Sequence, residues 1–123
     1  MEIQGQSVIN IILIFCLLSC GNSNELIVVN HSDINLDLNK RYVKYKNKPF
    51  TGRVIKLYSN SIDTFSISIF KNGSKDNTWK KFYRNGKIQE IREYKKDKKI
   101  GKYIGYYSNG NKKFEENFKN NFN

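Results

Sequence analysis

The stretch Trp79-Lys-Lys-Phe-Tyr-Arg-Asn-Gly86 returns in altered form as Tyr103-Ile-Gly-Tyr-Tyr-Ser-Asn-Gly110, and this repetition decides the fold. A larger unit surrounds both stretches, and an aromatic residue opens each of its copies. These opening residues lie 25, 24 and 24 residues apart: Tyr45, Phe70, Tyr94 and Phe118. A constant period of this length is the signature of a repeat protein whose neighbouring units stack on one another.

Asn-Gly pairs at a fixed offset predict that each copy contains a β-hairpin. Asn85-Gly86 and Asn109-Gly110 separate runs of mixed apolar and polar residues, and both residue types accept the positive φ of a type I′ turn. We therefore expect strands over 79–84 and 87–93, and again over 103–108 and 112–117. The earliest copy has Asn60-Ser61 at this offset and a one-residue insertion, so we expect a bulged return strand over 61–69.

A second turn position precedes each hairpin. Gly52, Asn77 and Gly101 all lie seven residues after the opening aromatic. Glycine, and less often asparagine, accepts a left-handed backbone, so we expect that conformation at all three residues. Alternation along the strands would give both sheet faces aromatic residues diluted by lysines. The fold class is therefore predicted as all-β, a single-layer antiparallel meander of repeated hairpins with a period of about 24 residues.

At these residues the sequence resembles a known repeat. Lys48-Pro-Phe-Thr-Gly52, residues 79–86 and residues 101–110 are similar to the variant MORN repeat of the bacterial YwqK-type antitoxin family, although Asn77 replaces the usual glycine. The resemblance covers residues 45–123. It implies a hairpin-repeat fold, and it suggests an antitoxin or immunity protein that neutralises a toxin.

The N-terminal segment predicts export. An apolar run over 8–18 is too short to span a bilayer, and it ends in Leu17-Leu18-Ser19-Cys20, which resembles a bacterial lipoprotein signal, although no basic residue precedes the run. We therefore expect a signal peptide over 1–19 and lipidation at Cys20. A tether with leading strands over 26–29 and 30–39 would occupy 20–44, and the repeat domain 45–123. The expected location is the bacterial cell envelope, anchored to a membrane through lipid.

The chain is strongly basic, with a formal net charge of +11. Seven positive residues and no acid lie within 40–56, and a second lysine cluster is expected in the loop between two repeats: Lys95, Lys96, Lys98, Lys99 and Lys102. Such surfaces attract anionic membranes, acidic proteins and nucleic acids. Export argues against a nucleic-acid partner, and lysine is abundant along the whole chain, so these clusters are also consistent with an ordinary solvated surface.

Residues suited to catalysis or metal binding are scarce. His31 stands alone, and processing at Cys20 would leave no thiol for redox chemistry. The sequence predicts no enzyme, no cofactor and no metal. It favours a protein-interaction or scaffold module with a protein partner, for which a toxin is one candidate. The candidate surface comprises four aromatic residues ringed by lysines: Trp79, Tyr83, Tyr103 and Tyr107. The alternative is that these rings only hold the sheet together.

Overall fold

A computed structural model describes residues 27–39 and 41–119 of the chain. The expectations for the signal peptide, Cys20 and the last four residues lie outside this range. The described residues form eleven strands: β1 (Ile27–Asn30), β2 (Leu36–Asp37), β3 (Lys44–Tyr45), β4 (Lys48–Pro49), β5 (Gly52–Leu57), β6 (Thr64–Lys71), β7 (Ser74–Lys75), β8 (Asn77–Phe82), β9 (Ile88–Lys95), β10 (Lys98–Tyr106) and β11 (Lys112–Phe118).

The main sheet has the strand order β1-β5-β6-β8-β9-β10-β11, with β7 also paired to β6. From β5 onward every pairing in this sheet is antiparallel and, apart from β6 with β8, joins consecutive strands, so the predicted all-β meander of hairpins is confirmed. One end of the sheet differs, because β1 pairs with β5 in parallel. A second, three-stranded sheet of β2, β3 and β4 was not expected.

The hairpin turns differ from the prediction. Asn85 and Asn109 do not have positive φ, so the predicted type I′ turns at Asn-Gly are wrong. In the turn at Asn85-Gly86, only Gly86 has a positive φ (83°). Its N–H donates to Tyr83 O at 3.0 Å, and Tyr83 N–H donates to Lys87 O at 2.8 Å. This is a type I turn followed by a glycine bulge, which needs only one residue of positive φ.

Two-residue turns with positive φ at both positions lie elsewhere. Lys46-Asn47, Asn72-Gly73 and Lys96-Asp97 have this conformation and join β3 to β4, β6 to β7 and β9 to β10. The expected loop between repeats is therefore a tight hairpin, and β10 begins five residues before the predicted start at 103.

Backbone irregularities recur with the repeat. Asn77 and Gly101 have φ of 59° and 58°, whereas Gly52 (φ 159°) is far from the left-handed helical value that the sequence suggested. At Gly52 a side chain is excluded instead, because a Cβ would lie 2.3 Å from Ile27 O. The pairing register also slips beside Phe65, Gln89 and Lys113, which are 24 residues apart. The bulge expected from the insertion is thus a property of every copy.

A compact core closes the β1 end of the sheet. Val29, Val43, Phe50, Val54 and Phe70 form one buried cluster. The segment 41–51 reaches this cluster through backbone bonds: Val43 N–H donates to Gly73 O at 2.9 Å, and Gly73 N–H donates to Phe50 O at 2.8 Å. The molecule is therefore two layers thick at this end and a single layer beyond it.

The leading segment is less regular than expected. Of the predicted strand over 30–39, Asn30 belongs to the end of β1 and only Leu36–Asp37 forms a strand of its own. Polar side chains fold the preceding residues into turns, since Asn30 Oδ1 accepts from Ser32 N–H at 2.9 Å and Asp33 Oδ1 accepts from Asn35 N–H at 2.8 Å.

Candidate functional site

The two faces of the main sheet differ in chemistry. On one face, cross-strand pairing aligns a row across six strands: Ile55, Ile67, Lys80, Ile91, Ile104 and Glu115. The opposite face carries Trp79, Arg92 and Tyr103. This row is mainly aliphatic, and the aromatic residues expected on the same face, Phe82 and Tyr106, follow Lys80 and Ile104 by two positions in their strands. We call the side that carries Trp79 the aromatic face.

A chain of rings runs along the aromatic face, outward from the core. Phe70 lies 6.1 Å from Phe50 and 5.2 Å from Trp79 between ring centroids, and Trp79 lies 4.9 Å from Tyr94. Trp79 Nε1 also donates to Ile69 O at 2.8 Å. Each such ring pair contributes about 0.5–1.5 kcal/mol beyond its buried area. Trp79 therefore makes contacts that stabilise the sheet.

Beside this ring chain lies a groove of about 250 Å³, which crosses β6, β8 and β9. Its side-chain lining combines aromatic rings, hydroxyls and charges: Phe65, Ser66, Ser68, Trp79, Lys81, Glu90, Arg92 and Tyr94. Trp79 thus has one edge in the ring chain and another on an open concave surface. Small and large polar and aromatic groups in one cleft are typical of a binding site.

Positive charges surround the groove. Lys75 Nζ lies 5.2 Å from the centroid of Trp79 and 5.4 Å from that of Tyr94, and Lys81 Nζ lies 5.0 Å from that of Phe65. Lys56 Nζ is 5.3 Å from the centroid of Phe65. The electrostatic attraction between a cation and a ring favours these positions of the lysine ammonium groups.

Arg92 is the most constrained cation of the groove. Its guanidinium lies 3.9 Å from the centroid of Tyr103, and its Nε is buried without a hydrogen-bond partner among the described residues. Burial by itself would lower the pKa of Arg92. The hydroxyls of Tyr103 and Tyr94 and the charge of Glu90 outweigh that effect and raise the pKa. Arg92 therefore stays charged, and one of its donors is unused.

The remaining predicted aromatic residues do not join Trp79 in one site. Tyr103 lies beneath Arg92, and its hydroxyl donates to Glu90 Oε2 at 2.9 Å. Tyr83 lies at a hairpin end, where its hydroxyl donates to Tyr106 O at 2.7 Å. Tyr107 lies in the last hairpin and is half exposed. Of these four residues, Trp79 lines the groove directly and Tyr103 supports it through Arg92.

The predicted lysine cluster lies at the tight turn between β9 and β10. In the register of β9 and β10, Lys98 lies opposite Lys95 and Lys99 lies opposite Tyr94. Lys96 lies in the turn that joins the two strands. Lys95 and Lys96 line a separate hollow with Lys71, Asn72, Ser74 and Asp76. This hollow contains no aromatic ring, so it lacks the mixed chemistry of the groove.

The sequence did not single out Arg92, Ser66 or Ser68. A cation in a lysine-rich strand suggests a solvated side chain, and only the structure shows its ring contact. The sequence did contain one signal. Residues 68, 92 and 116 are equivalent positions of successive repeats, and they are Ser, Arg and Glu. A position that varies in charge within regular repeats can mark a site specific to one copy.

Two further observations concern the described residues alone. No group of three His, Cys, Asp or Glu side chains between 27 and 119, leaving out residue 40, is arranged to hold a metal ion, and His31 is exposed. Nor does this part of the chain contain a helix of the length and apolarity that crossing a membrane requires.

Comparison with known proteins identifies the repeat. The family model described as MORN repeat variant matches residues 75–96 and 99–120. No curated protein and no solved structure matches the chain. The first matched stretch contains β8 and β9, and the second contains most of β10 and all of β11. The two hairpins at the centre and end of the main sheet are therefore similar to the variant MORN repeat.

Proposed function

We propose that this chain is a non-enzymatic interaction module whose groove binds an extended acidic segment of a partner protein. The observation that carries the proposal is Arg92, a cation that lies over the ring of Tyr103 and lines the groove together with Trp79. Repeats of this kind are generally associated with protein or membrane binding, which supports a binding role in broad terms.

The chemistry of the groove favours an acidic peptide as the ligand. Lys56, Lys75, Lys81 and Arg92 surround it, and Glu90 is its one acidic lining residue, already bonded to Tyr103. Carboxylates would pair with these cations, and Ser66 and Ser68 would offer hydroxyls to a peptide backbone. Trp79 and Tyr94 would pack against the peptide's apolar side chains.

The module would act at a membrane surface. We propose that Cys20 carries lipid and that the repeats are held at the bacterial cell envelope, because the sequence before Cys20 resembles a lipoprotein signal. Intact mass and fractionation of the wild type beside Cys20→Ala test this directly. A diacyl or triacyl species that begins at Cys20 and is absent from the variant supports anchoring; an unprocessed protein in the soluble fraction contradicts it.

Binding is measurable through the protein itself, since Trp79 is its single tryptophan. The full chain in neutral detergent micelles is titrated with a glutamate-rich peptide while Trp79 emission is recorded. We expect a saturable change, and a Kd raised about tenfold by Arg92→Gln because a charge-assisted hydrogen bond is lost.

The matched control is Lys87→Gln, which removes the same charge at a hairpin end, where Lys87 Nζ bonds Asn109 O at 3.3 Å. It should leave Kd nearly unchanged. An equal loss of affinity in both variants would mean attraction by net charge only and would refute the groove as the site. Emission that responds to anionic lipid in the micelle but not to peptide would instead favour a membrane-surface role.

The resemblance to YwqK-type antitoxins supports a finer reading, in which the acidic partner is a toxin. Co-expression with a toxin-like protein encoded next to this chain tests that reading. Growth rescued by the wild type and not by Arg92→Gln supports it; equal rescue by both, or rescue by neither, contradicts it and leaves the peptide titration as a separate test of the groove.

A further inference from the structure

Successive hairpins are joined by side chains at their turn ends. The hydroxyl of Tyr58 donates to Phe82 O at 2.6 Å, and that of Tyr83 donates to Tyr106 O at 2.7 Å. Asn85 Nδ2 likewise donates to Ser108 O at 3.0 Å. Each hairpin therefore offers donors to the backbone of the next one.

The last hairpin has the same groups and no following hairpin among the described residues. Tyr107 and Asn109 occupy the positions of Tyr83 and Asn85 one repeat later. Tyr107 is 50% exposed, in contrast to the partly buried Tyr83. This end of the sheet keeps the groups that join hairpins elsewhere in the molecule.

Strand β11 is also an open edge. It pairs with β10, and in the described part of the chain no strand covers its other side. An edge of seven residues with free backbone donors and acceptors is a template for pairing with another strand. Natural edges are usually covered or bear charges that prevent such pairing.

The charges of β11 favour one pairing and oppose the others. Its sequence contains two lysines, a central aromatic residue and two glutamates: Lys112, Lys113, Phe114, Glu115 and Glu116. Antiparallel pairing of two such strands about Phe114 brings Lys112 of each copy opposite Glu116 of the other, and it brings Lys113, beside which the pairing with β10 slips, near Glu115. Parallel pairing in register would bring like charges together, which is destabilising.

From the open edge and this charge pattern we infer that two copies of the chain pair through β11, antiparallel and centred on Phe114, to form a two-fold symmetric dimer with one continuous sheet. Such a symmetric contact is closed and leads to a dimer, not a fibre. The groove lies on β6, β8 and β9, so this inference does not rest on the proposed function.

Part of the charge is already engaged within one chain. Glu115 pairs with Lys102 at 3.1 Å and with Lys112 at 2.5 Å, and these contacts lower the pKa of Glu115. Glu116 forms no ion pair within the described part of the chain, and Lys113 lies over the ring of Tyr107. Glu116 is therefore the carboxylate with most to gain from a second copy.

Charge exchange between two variants tests the pairing. In one full-length variant, Lys112→Glu and Lys113→Glu make the edge wholly acidic; in the other, Glu115→Lys and Glu116→Lys make it wholly basic. Sedimentation in neutral detergent should show dimers for the wild type and monomers for each variant alone. An equal mixture should recover dimers, which also demonstrates that both variants are folded.

A monomeric wild type, or homodimers of either variant as stable as those of the wild type, overturns the inference. The register is tested by cysteine pairs in a Cys16→Ser, Cys20→Ser background. Phe114→Cys should form a disulfide-linked dimer on oxidation, because directly opposed residues have Cβ atoms about 5 Å apart. Asn111→Cys should not, since about six residues at ~3.4 Å each separate the two copies of that position. Linkage at 111 and not at 114 contradicts the centre at Phe114.

Discussion

The two matched repeats, 75–96 and 99–120, have similar turn conformations and different surroundings. Trp79 of the first copy lies between Phe70 and Tyr94, so rings of the preceding and following strands enclose it. Tyr103 of the second copy instead contacts Phe114 and the guanidinium of Arg92. The 24-residue repeat thus specifies the position of each aromatic ring. The residues of the neighbouring strands determine whether that ring packs against other rings or supports the groove through Arg92.

The two copies also differ in the residues that neighbour these rings on the same face. Lys81 of the first copy is replaced by Gly105 in the second, where the ring of Phe114 occupies the space that a side chain would need. Arg92 is likewise replaced by Glu116. The first copy therefore has an open basic groove, and the second has a filled surface with an acidic residue.

Removing each ring should produce the largest difference between the copies. Trp79→Ala loses two ring contacts and the bond to Ile69 O, so we expect a loss of about 3 kcal/mol in the free energy of unfolding. Tyr103→Ala should lose about 1–2 kcal/mol, because it has one ring neighbour and is more peripheral. Urea unfolding of both variants provides the values, and equal losses would contradict the difference in surroundings.

Filling the glycine of the second copy should have the next largest effect. A Cβ at residue 105 would lie 2.2 Å from Phe114 Cε1, so Gly105→Val must displace the ring and should cost about 2 kcal/mol. Lys81→Val at the same position of the first copy meets no such ring and should change stability by less than about 0.5 kcal/mol. Thermal unfolding distinguishes the two, and a harmless Gly105→Val would mean that Phe114 lies elsewhere.

Removing the tyrosine hydroxyl that joins hairpins should reduce stability in the inner copy but not in the last one. Tyr83→Phe removes the donor to Tyr106 O and should lower the unfolding free energy by about 1 kcal/mol. In the monomer, Tyr107→Phe should be neutral, because Tyr107 has no following hairpin within the described residues. Chemical unfolding at low protein concentration measures both, and a larger cost at Tyr107 would reverse the expected order.

Substitution of the residues with left-handed backbone, Asn77 and Gly101, should change the free energy of unfolding least. Asn77 and Gly101 have nearly identical φ, so Asn77→Gly should change the unfolding free energy by only a few tenths of a kcal/mol. Gly101→Ala should cost about 1 kcal/mol because alanine resists this conformation. Stability measured for both tests whether the two copies share one backbone; an unaffected Gly101→Ala would indicate that they do not.

Much of the sheet was predictable because its signals are local. The aromatic period and the Asn-Gly pairs gave the strand order and most strand positions. Turn geometry was not predictable in the same way, since Asn-Gly serves a type I turn with a glycine bulge as well as a type I′ turn. Lys96-Asp97 adopts positive φ at both residues without a glycine, which residue preferences alone would not suggest.

Non-local features escaped prediction. Val43 and Phe50 lie in the core only because segment 41–51 bonds to Gly73, far along the chain. The groove escaped for a related reason, because Arg92 is distinguished by its position over Tyr103 and not by its residue type. Of the four candidate surface residues, Trp79 lies both in the ring chain and in the groove lining, and its role in binding stays a prediction.

The central claim is that the inner copy holds a binding groove and the last copy an open edge. Isotope-labelled full-length protein, titrated with a glutamate-rich peptide and observed by two-dimensional NMR, tests this most directly. The account predicts saturable chemical-shift changes at Trp79, Lys81, Arg92 and Tyr94. It predicts unchanged chemical shifts at Tyr107 and at the isoleucines of the opposite face: Ile55, Ile67, Ile91 and Ile104. Shifts concentrated at the isoleucine row or at the Lys95–Lys98 turn, with the Trp79 indole unchanged, would contradict it.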